Sequence, residues 1–393
     1  MKDFIFYAPT EVVFGRESEA KIPAMVKKYG GSKVLVHYGG QSAKKSGLLD
    51  KVCAMLEGAG IAYVTLGGAQ PNPRLSKVHE GIDLCRLEKV DFILAVGGGS
   101  VIDSSKAIGY GVPYEGEVWD FYVGKAKAEI CLPVGCVLTI PAAGSEMSEA
   151  SVITNEEGDI KQGYSNNICR PKFAIMNPER TFSLPAYQTA AGVTDIMMHT
   201  MERYFNVDGD MTISDNIAEA LMRTMQECVF DVLKNPEDYR ARAQIMWAGS
   251  LAHNDVTGCR MWGDWATHHI EHELSAMFDV THGAGLAAVW GSWARTVYKS
   301  NVSRFVRFAV NVMGVANDFT APDATALKGI EALERFYQRI GMPTSIHELI
   351  GRDVTDEEIS EMARKCTHGG TKTEGKFKVL TREDVENIYK MAR

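Results

Sequence analysis

A strict alternation in the first 185 residues constrains this chain more than any other feature. Short β-branched runs, KVLVHY (33–38), IAYVTL (61–66) and DFILAV (91–96), are separated by the helical stretches QSAKKSGLLDKVCAMLEGAG and RLSKVHEGIDLCRLEKV. Strands divided by helix-length connectors pair in parallel, so the pattern predicts βαβ units and a parallel sheet covered by helices. In the first connector Leu48, Leu49, Val52, Met55 and Leu56 share one helical face. Ten of the thirteen prolines lie within residues 1–185, and beyond them long stretches rich in Ala, Met, Arg and Glu at helical spacing predict a second, all-helical domain. The junction falls in NPERTFSLPAYQ, where Pro178 and Pro185 interrupt regular structure and Ser183 can cap a helix starting at Pro185. The expected domains are therefore residues 1–184 and 185–393. The closing LTREDVENIYKMAR reads as a helix capped near Thr381.

Composition narrows the partners. A formal charge of −8 gives no broad attraction to phosphate backbones or anionic lipid, so neither nucleic acid nor a membrane is expected as a partner, and a small ligand is. The start, MKDFIFYAPTEVVFG, carries Asp3, Pro9 and Glu11 among its apolar residues and so lacks a signal-peptide core, and no later run reaches spanning length. Eight cysteines are scattered without a C-x-x-C pair, which predicts reduced thiols without a metal role and a cytoplasmic protein.

After DFILAV comes GGGSVIDSSKAI. Gly97, Gly98 and Gly99 let the backbone turn tightly and approach a ligand, and Ser100 opens a helix whose free N–H groups favour an anion, a phosphate-binding design. Ser100 and Asp103 also have capping-box spacing. A second candidate turn follows the first strand, where Gly39 and Gly40 precede Gln41, Ser42, Lys44 and Lys45. An enzyme selective for NAD often places a carboxylate at such a strand end to hold the ribose, and its absence here leans towards NADP, with NAD as the alternative.

The second half holds the metal chemistry. Asp195 and His199 lie four apart in GVTDIMMHTMERYF, hence on one helix face, and residues 268–282 contain four of the ten histidines. His268 and His272 share a face, and His282 follows across a turn. If Asp195, His199, His268 and His282 converge, one oxygen and three nitrogens suit a divalent transition metal, with Fe2+ and Zn2+ both fitting. His272, one turn from His268, can then relay a proton, whereas His269 faces away. Trp262, Trp265 and Phe278 are candidate apolar wall residues. HHIEH at 268–272 also fits the inverted zinc-protease signature H-x-x-E-H, but a protease leaves the glycine loop, Asp195 with His199 and the βαβ half unexplained.

Taken in order, GGGSVIDSSKAI, TIPAAGSEMS (139–148), GVTDIMMHTMERYF, GDWATHHIEHELSA (263–276), VTHGAGLA (280–287) and the closing LTREDVENIYKMA resemble the iron-containing alcohol dehydrogenase family, and more closely its butanol dehydrogenase branch. The resemblance spans essentially the whole chain. It implies an α/β N-terminal dinucleotide-binding domain plus an all-α C-terminal domain, the architecture shared with dehydroquinate synthase, and reversible hydride transfer between NADP(H) or NAD(H) and a primary alcohol or aldehyde such as butanol or butanal. By matching motif it implies Asp195, His199, His268 and His282 as metal ligands, His272 as a further active-site histidine, and Gly39, Gly40, Ser42, Gly97, Gly98, Gly99, Ser100, Thr139, Ser148 and Lys161 as cofactor contacts. Where the family pattern T-x-P-A-T-G-S often has a second threonine, this chain has Ala143. A dehydroquinate synthase-type lyase remains the alternative on the same architecture, and the exposed edge of the N-terminal sheet suggests a homodimer.

Overall fold

The computed structural model describes residues 3–40, 42–206, 212–259 and 263–393, with Ser42 described by its backbone alone. The chain forms two compact units, one of Ala8–Ser183 and one of residues 184–393 together with the described residues before Ala8. The assignment of the chain start to the α/β domain is thereby corrected. Residues 3–10 form no strand, and the first ties to the sheet unit come at Thr10, whose hydroxyl donates to the Pro171 carbonyl at 2.8 Å, and at Glu11, which pairs with Phe173. Leu184, one residue before the expected boundary, also belongs to the helical unit.

The first unit is a six-stranded, wholly parallel sheet of β1 (Glu11–Phe14), β2 (Lys33–Tyr38), β3 (Ala62–Leu66), β4 (Phe92–Gly97), β5 (Val134–Leu138) and β8 (Phe173–Met176), in the order β1-β8-β5-β4-β2-β3. Every residue of β4 is buried, as expected of a central strand covered on both faces. Leu48, Leu49, Val52 and Leu56 of the Leu48–Gly58 helix join Val34, Val36, Phe92 and Leu94 in one apolar cluster, which is why their helical spacing was readable. From β2 the chain runs outward to β3, then crosses back to β4 and continues to β5, so the strand order reverses between β2 and β4. Ligands of open α/β sheets bind at the carboxyl ends of the strands flanking such a reversal. An antiparallel hairpin, β6 (Ala150–Asn155) and β7 (Ile160–Ser165), interrupts the alternation; its turn uses Gly158 and Asp159, both at positive φ.

The second unit contains the helices Ala186–Tyr204, Thr212–Lys234, Tyr239–His253, Ala266–Phe278, His282–Val297, Val302–Asn311, Pro322–Arg339, Asp356–Cys366 and Arg382–Ala392, with shorter turns between them. Ser183 does not cap the first of these, whose N-cap is Pro185 without a side-chain bond. Thr381 does cap the last, in a reciprocal capping box with Asp384. From Thr189 to Tyr204 every side chain of the first helix is buried, so it runs through the core with no solvent face. Phe205, Trp290, Trp293, Phe305 and Phe308 pack together beyond its end. Among the described residues no helix is long and apolar enough to cross a membrane.

Candidate cofactor turn and metal centre

In the α/β unit the expected cofactor residues gather at the reversal point. Gly39 and Gly40 follow β2, Gly97 ends β4, and Thr139 follows β5 with its N–H on the Gly97 carbonyl at 3.0 Å. The Gly99–Gly111 helix starts from Gly98, and no side chain caps it. Its first amides are thus left without a side-chain acceptor, which suits an anion. A Cβ on Gly97 would overlap the Val101 side chain, one on Gly98 would sit 3.0 Å from Ile140 Cβ, and one on Gly99 would sit 3.1 Å from Ala143 Cβ. The triple glycine therefore lets this turn nest against the 139–148 segment, and Ala143 is part of that close fit. Ser42 opens a short helix, and its side chain lies outside the described residues.

Asp103 does not form the expected capping box. It accepts from Val152 N at 2.9 Å and from the Ser145 hydroxyl, and so faces the 145–152 segment. Burial pushes its carboxyl up in pKa against the lowering pull of Lys106. Lys106, fully buried, donates to the carbonyls of Ser145, Ser148 and Ala150 at 2.7, 3.0 and 2.7 Å and to the hydroxyls of Ser145 and Ser148. Ser148 Oγ accepts from Lys106 and from Ala150 N, each at 3.3 Å. Lys161 is buried on β7. A buried ammonium needs this many acceptors to offset its desolvation, and the acceptors it finds shape the segment carrying Thr139 to Ser148.

In the helical unit the core helix Ala186–Tyr204 carries Asp195, His199, Glu202 and Arg203 into the interior. Buried ionisable groups are costly unless paired or bound to a cation, so each must have a partner. Asp195 Oδ1 lies 3.2 Å from His199 Nδ1, 3.8 Å from His268 Nε2 and 3.9 Å from His282 Nε2. Asp195, His268 and His282 each offer a ligand atom within 4.8 Å of the others. His199 stands beside that set rather than within it, its ring 4.6 Å from that of His268. His268 comes from the Ala266–Phe278 helix, and His282 is the first residue of the His282–Val297 helix. The approach depends on Gly283, where a Cβ would overlap the carbonyl oxygen of Ala191. With no side chain there, the start of one helix lies against the turn preceding Asp195.

Asp195 Oδ1, His199 Nδ1 and His268 Nε2 are buried without a hydrogen-bond partner. One carboxylate and two imidazoles with orphaned buried atoms, beside the Nε2 of His282, make the donor set of a divalent metal, so the residues present fit such an ion. Burial disfavours charge on Asp195, yet His199, His282 and His268 outweigh it and hold the carboxyl well below the usual range. Burial likewise opposes charge on His268, but Asp195 and Glu202 lift its imidazole to about 9. His199 is pushed far down, by burial first. His272 is half-buried, its ring 5.8 Å from that of His282, and it forms a second convergent set with Glu271 and His282. His269 turns instead to Glu374 at 2.5 Å. Trp265 lies against the cluster, 5.2 Å from the His268 ring, while Phe278 packs under Arg352; Trp262 lies outside the described residues.

Three features escaped the sequence. Glu202 accepts from His268 Nδ1 at 2.8 Å, and Glu271 accepts from His282 Nδ1. Arg203, over the Trp265 ring at 4.9 Å, bonds the His199 carbonyl at 3.0 Å. Spacing held part of the signal, because Glu202 is seven residues from Asp195 and Glu271 three from His268, both on the face of a ligand candidate.

A triple-glycine turn that opens an uncapped helix at a strand-order reversal, and a buried carboxylate and imidazole cluster, are features suited to a metal-assisted, nicotinamide-dependent oxidoreductase. Comparison with known proteins identifies the family. The iron-containing alcohol dehydrogenase profile matches residues 9–178, and that of the Fe-containing alcohol dehydrogenase C-terminal region matches residues 189–393. This chain belongs to the iron-containing alcohol dehydrogenase family. It is 40% identical over 390 residues to a probable NADH-dependent butanol dehydrogenase 1 of Bacillus subtilis (strain 168), covering 99% of each chain. It is 33% identical over 396 residues to the NADPH-dependent aldehyde reductase of Escherichia coli (strain K12), covering 100% of both. Among solved structures it is similar to an NADH-dependent butanol dehydrogenase A from Thermotoga maritima, with a TM-score of 0.95 and 40% identity over 100% of this chain and 99% of that one. It is an NAD(P)-dependent alcohol dehydrogenase and aldehyde reductase by class. The lyase and protease alternatives find no support.

Proposed function

We propose that the enzyme interconverts small primary alcohols and aldehydes, butanol and butanal among them, using NADP(H) and one divalent iron. The observation that carries the metal half is the convergence of Asp195, His268 and His282 beside His199, with buried orphan atoms on three of the four. These four residues hold the ion, and zinc is the alternative occupant. When bound, the ion supplies Lewis acidity towards the substrate oxygen, and the nicotinamide supplies or accepts the hydride. In the helical unit Trp265 walls the cluster and excludes water, and in the α/β unit the turn of Gly97, Gly98, Gly99 and Ser100 holds the pyrophosphate. His272 exchanges the proton with solvent, a role supported by its partial exposure and its closeness to His282.

The preference for NADP rests on the strand end at Tyr38, Gly39 and Gly40, which has no carboxylate. The relatives' names divide, NADH for the Bacillus subtilis and Thermotoga maritima proteins and NADPH for that of Escherichia coli, and NAD is the alternative. A homodimer is supported by four consecutive exposed apolar residues, Phe4, Ile5, Phe6 and Tyr7, and by the place of β1 at one end of the sheet. Eight free cysteines fit a reducing cytoplasm.

The test is cofactor oxidation at 340 nm with butanal, with NADPH or NADH supplied in parallel to protein reloaded with iron or with zinc. Turnover that needs metal and favours NADPH is expected. Metal binding without oxidation of either cofactor on any small aldehyde would sink the reading.

A further inference from the structure

Behind His268 and His282 stand two buried carboxylates, Glu202 and Glu271. Glu271 is fully buried on the Ala266–Phe278 helix, where it accepts from the Ser275 hydroxyl and from Nδ1 of His282. Room for it is made from the opposite helix: a Cβ on Gly285 would come 2.7 Å from Glu271 Oε1. Glu202, also buried, accepts from Nδ1 of His268 at 2.8 Å, from His268 N at 3.1 Å and from Trp265 N at 2.6 Å. The two carboxylates therefore engage the same ring nitrogen of their histidines, and both histidines turn Nε2 towards Asp195.

We propose that Glu271 and Glu202 are positioning residues that fix His282 and His268 as Nδ1–H tautomers, leaving each Nε2 lone pair for the metal. An ionised carboxylate can only accept, so the facing nitrogen must carry a hydrogen, and Nε2 is the nitrogen left to give up its proton and offer its lone pair when a metal binds. A carboxylate at that place also raises the basicity of the ligand nitrogen and stops the ring from turning. The division of labour differs between the two. Glu202 additionally caps the start of the Ala266–Phe278 helix, so its removal disturbs folding and ligand together. Glu271 bonds the ligand candidate His282 and lies beside Gly285 in the first turn of the same helix, so a size-conserving change there acts on His282 directly. The proposal rests on the metal reading above.

The experiment compares wild type, Glu271→Gln and His282→Ala as full-length metal-free proteins, titrated with zinc against a chromophoric chelator. Glu271→Gln keeps size and packing but replaces an obligate acceptor by an amide that can present either a donor or an acceptor. Expected is one tight zinc in wild type, lost in His282→Ala and bound roughly 10–100-fold more weakly in Glu271→Gln. In the metal-free protein, 15N spectra of labelled histidine should show His282 as a single Nδ1–H tautomer in wild type and as a mixture in Glu271→Gln, an effect that mere packing would not produce. Equal zinc affinity and an unchanged tautomer in Glu271→Gln would overturn the proposal. Failure of wild type itself to bind zinc or iron(II) would instead overturn the metal reading, and the positioning role with it.

Discussion

At the scale of single residues, cofactor choice turns on Gly39. Its backbone is not in the left-handed region, and an added Cβ would meet Ala69 O at 3.4 Å and Val101 Cγ2 at 3.7 Å, ordinary contact distances. Gly39→Asp is therefore accommodated without strain. Its carboxylate repels a 2′-phosphate and accepts from ribose hydroxyls, so the ratio of kcat/KM for NADPH over NADH should fall at least about tenfold, corresponding to about 1.4 kcal/mol. An unchanged ratio places the ribose elsewhere. His37 shows what a buried imidazole does when it has no metal to hold. On β2 it bonds the Leu66 carbonyl at 2.9 Å and the Ser104 hydroxyl at 2.8 Å, and burial drives its pKa down to about 4. Between pH 6.5 and about 4 the unfolded chain binds a proton that the folded chain refuses. Stability contributed here is complete above pH 6.5 and is lost as the pH falls towards 4, by about 3 kcal/mol. His37→Gln should lose stability at pH 7, and its deficit relative to wild type should shrink in urea melts at pH 5; a constant deficit contradicts the assignment.

At the scale of elements, the cluster depends on how closely two helices approach. Gly283→Ala places a methyl on the Ala191 carbonyl, so the His282–Val297 helix must shift outward and carry His282 from Asp195. The expected cost is about 1–3 kcal/mol in chemical denaturation, with loss of most metal affinity, whereas Gly40→Ala, with nothing within 4 Å of its new Cβ, should be silent in both assays. Lys106→Met, which strands the acceptors of residues 145–150 and removes the larger of the two lysine counter-charges on Asp103, should cost roughly 3–5 kcal/mol. The legibility of these elements in the sequence divides along physical lines. β2, β3 and β4 announced themselves because buried parallel strands are short, β-branched runs with helices between. The β6–β7 hairpin did not, since ASVITN and IKQGYS alternate weakly and lie within a segment already claimed by the βα rhythm. Asp195, His199, His268 and His282 were legible as rare residue types at ligand spacing. Glu202, Glu271 and the clearance at Gly283 and Gly285 were not, because a glutamate on a helix is ordinarily a solvated residue, and only the packing reveals that these two helices have no solvent side there.

At the scale of the whole molecule, the residues proposed for the two kinds of ligand lie in different compact units. NADP(H) should stabilise Ala8–Ser183 and the metal residues 184–393, each by RT ln(1 + [L]/Kd), which is about 2.7 kcal/mol at a hundredfold excess over Kd. Hydrogen exchange followed by peptide mass spectrometry checks this: zinc should protect the Ala186–Tyr204, Ala266–Phe278 and His282–Val297 helices and leave β2 and β4 unchanged. Protection of the sheet strands by zinc alone would contradict that division.

The Ala186–Tyr204 helix, buried on every side from Thr189 onward, also bears on how such an enzyme changes over generations. A helix with a wet face has positions where mutations accumulate unnoticed. From Thr189 to Tyr204 this one has none, because each turn is either core or cluster, and a substitution along that stretch is felt at once in folding or in metal binding. New substrate preferences in this lineage must therefore arise on the loops and rims around the centre, while the helix that carries Asp195 and His199 stays as the fixed axis about which they vary.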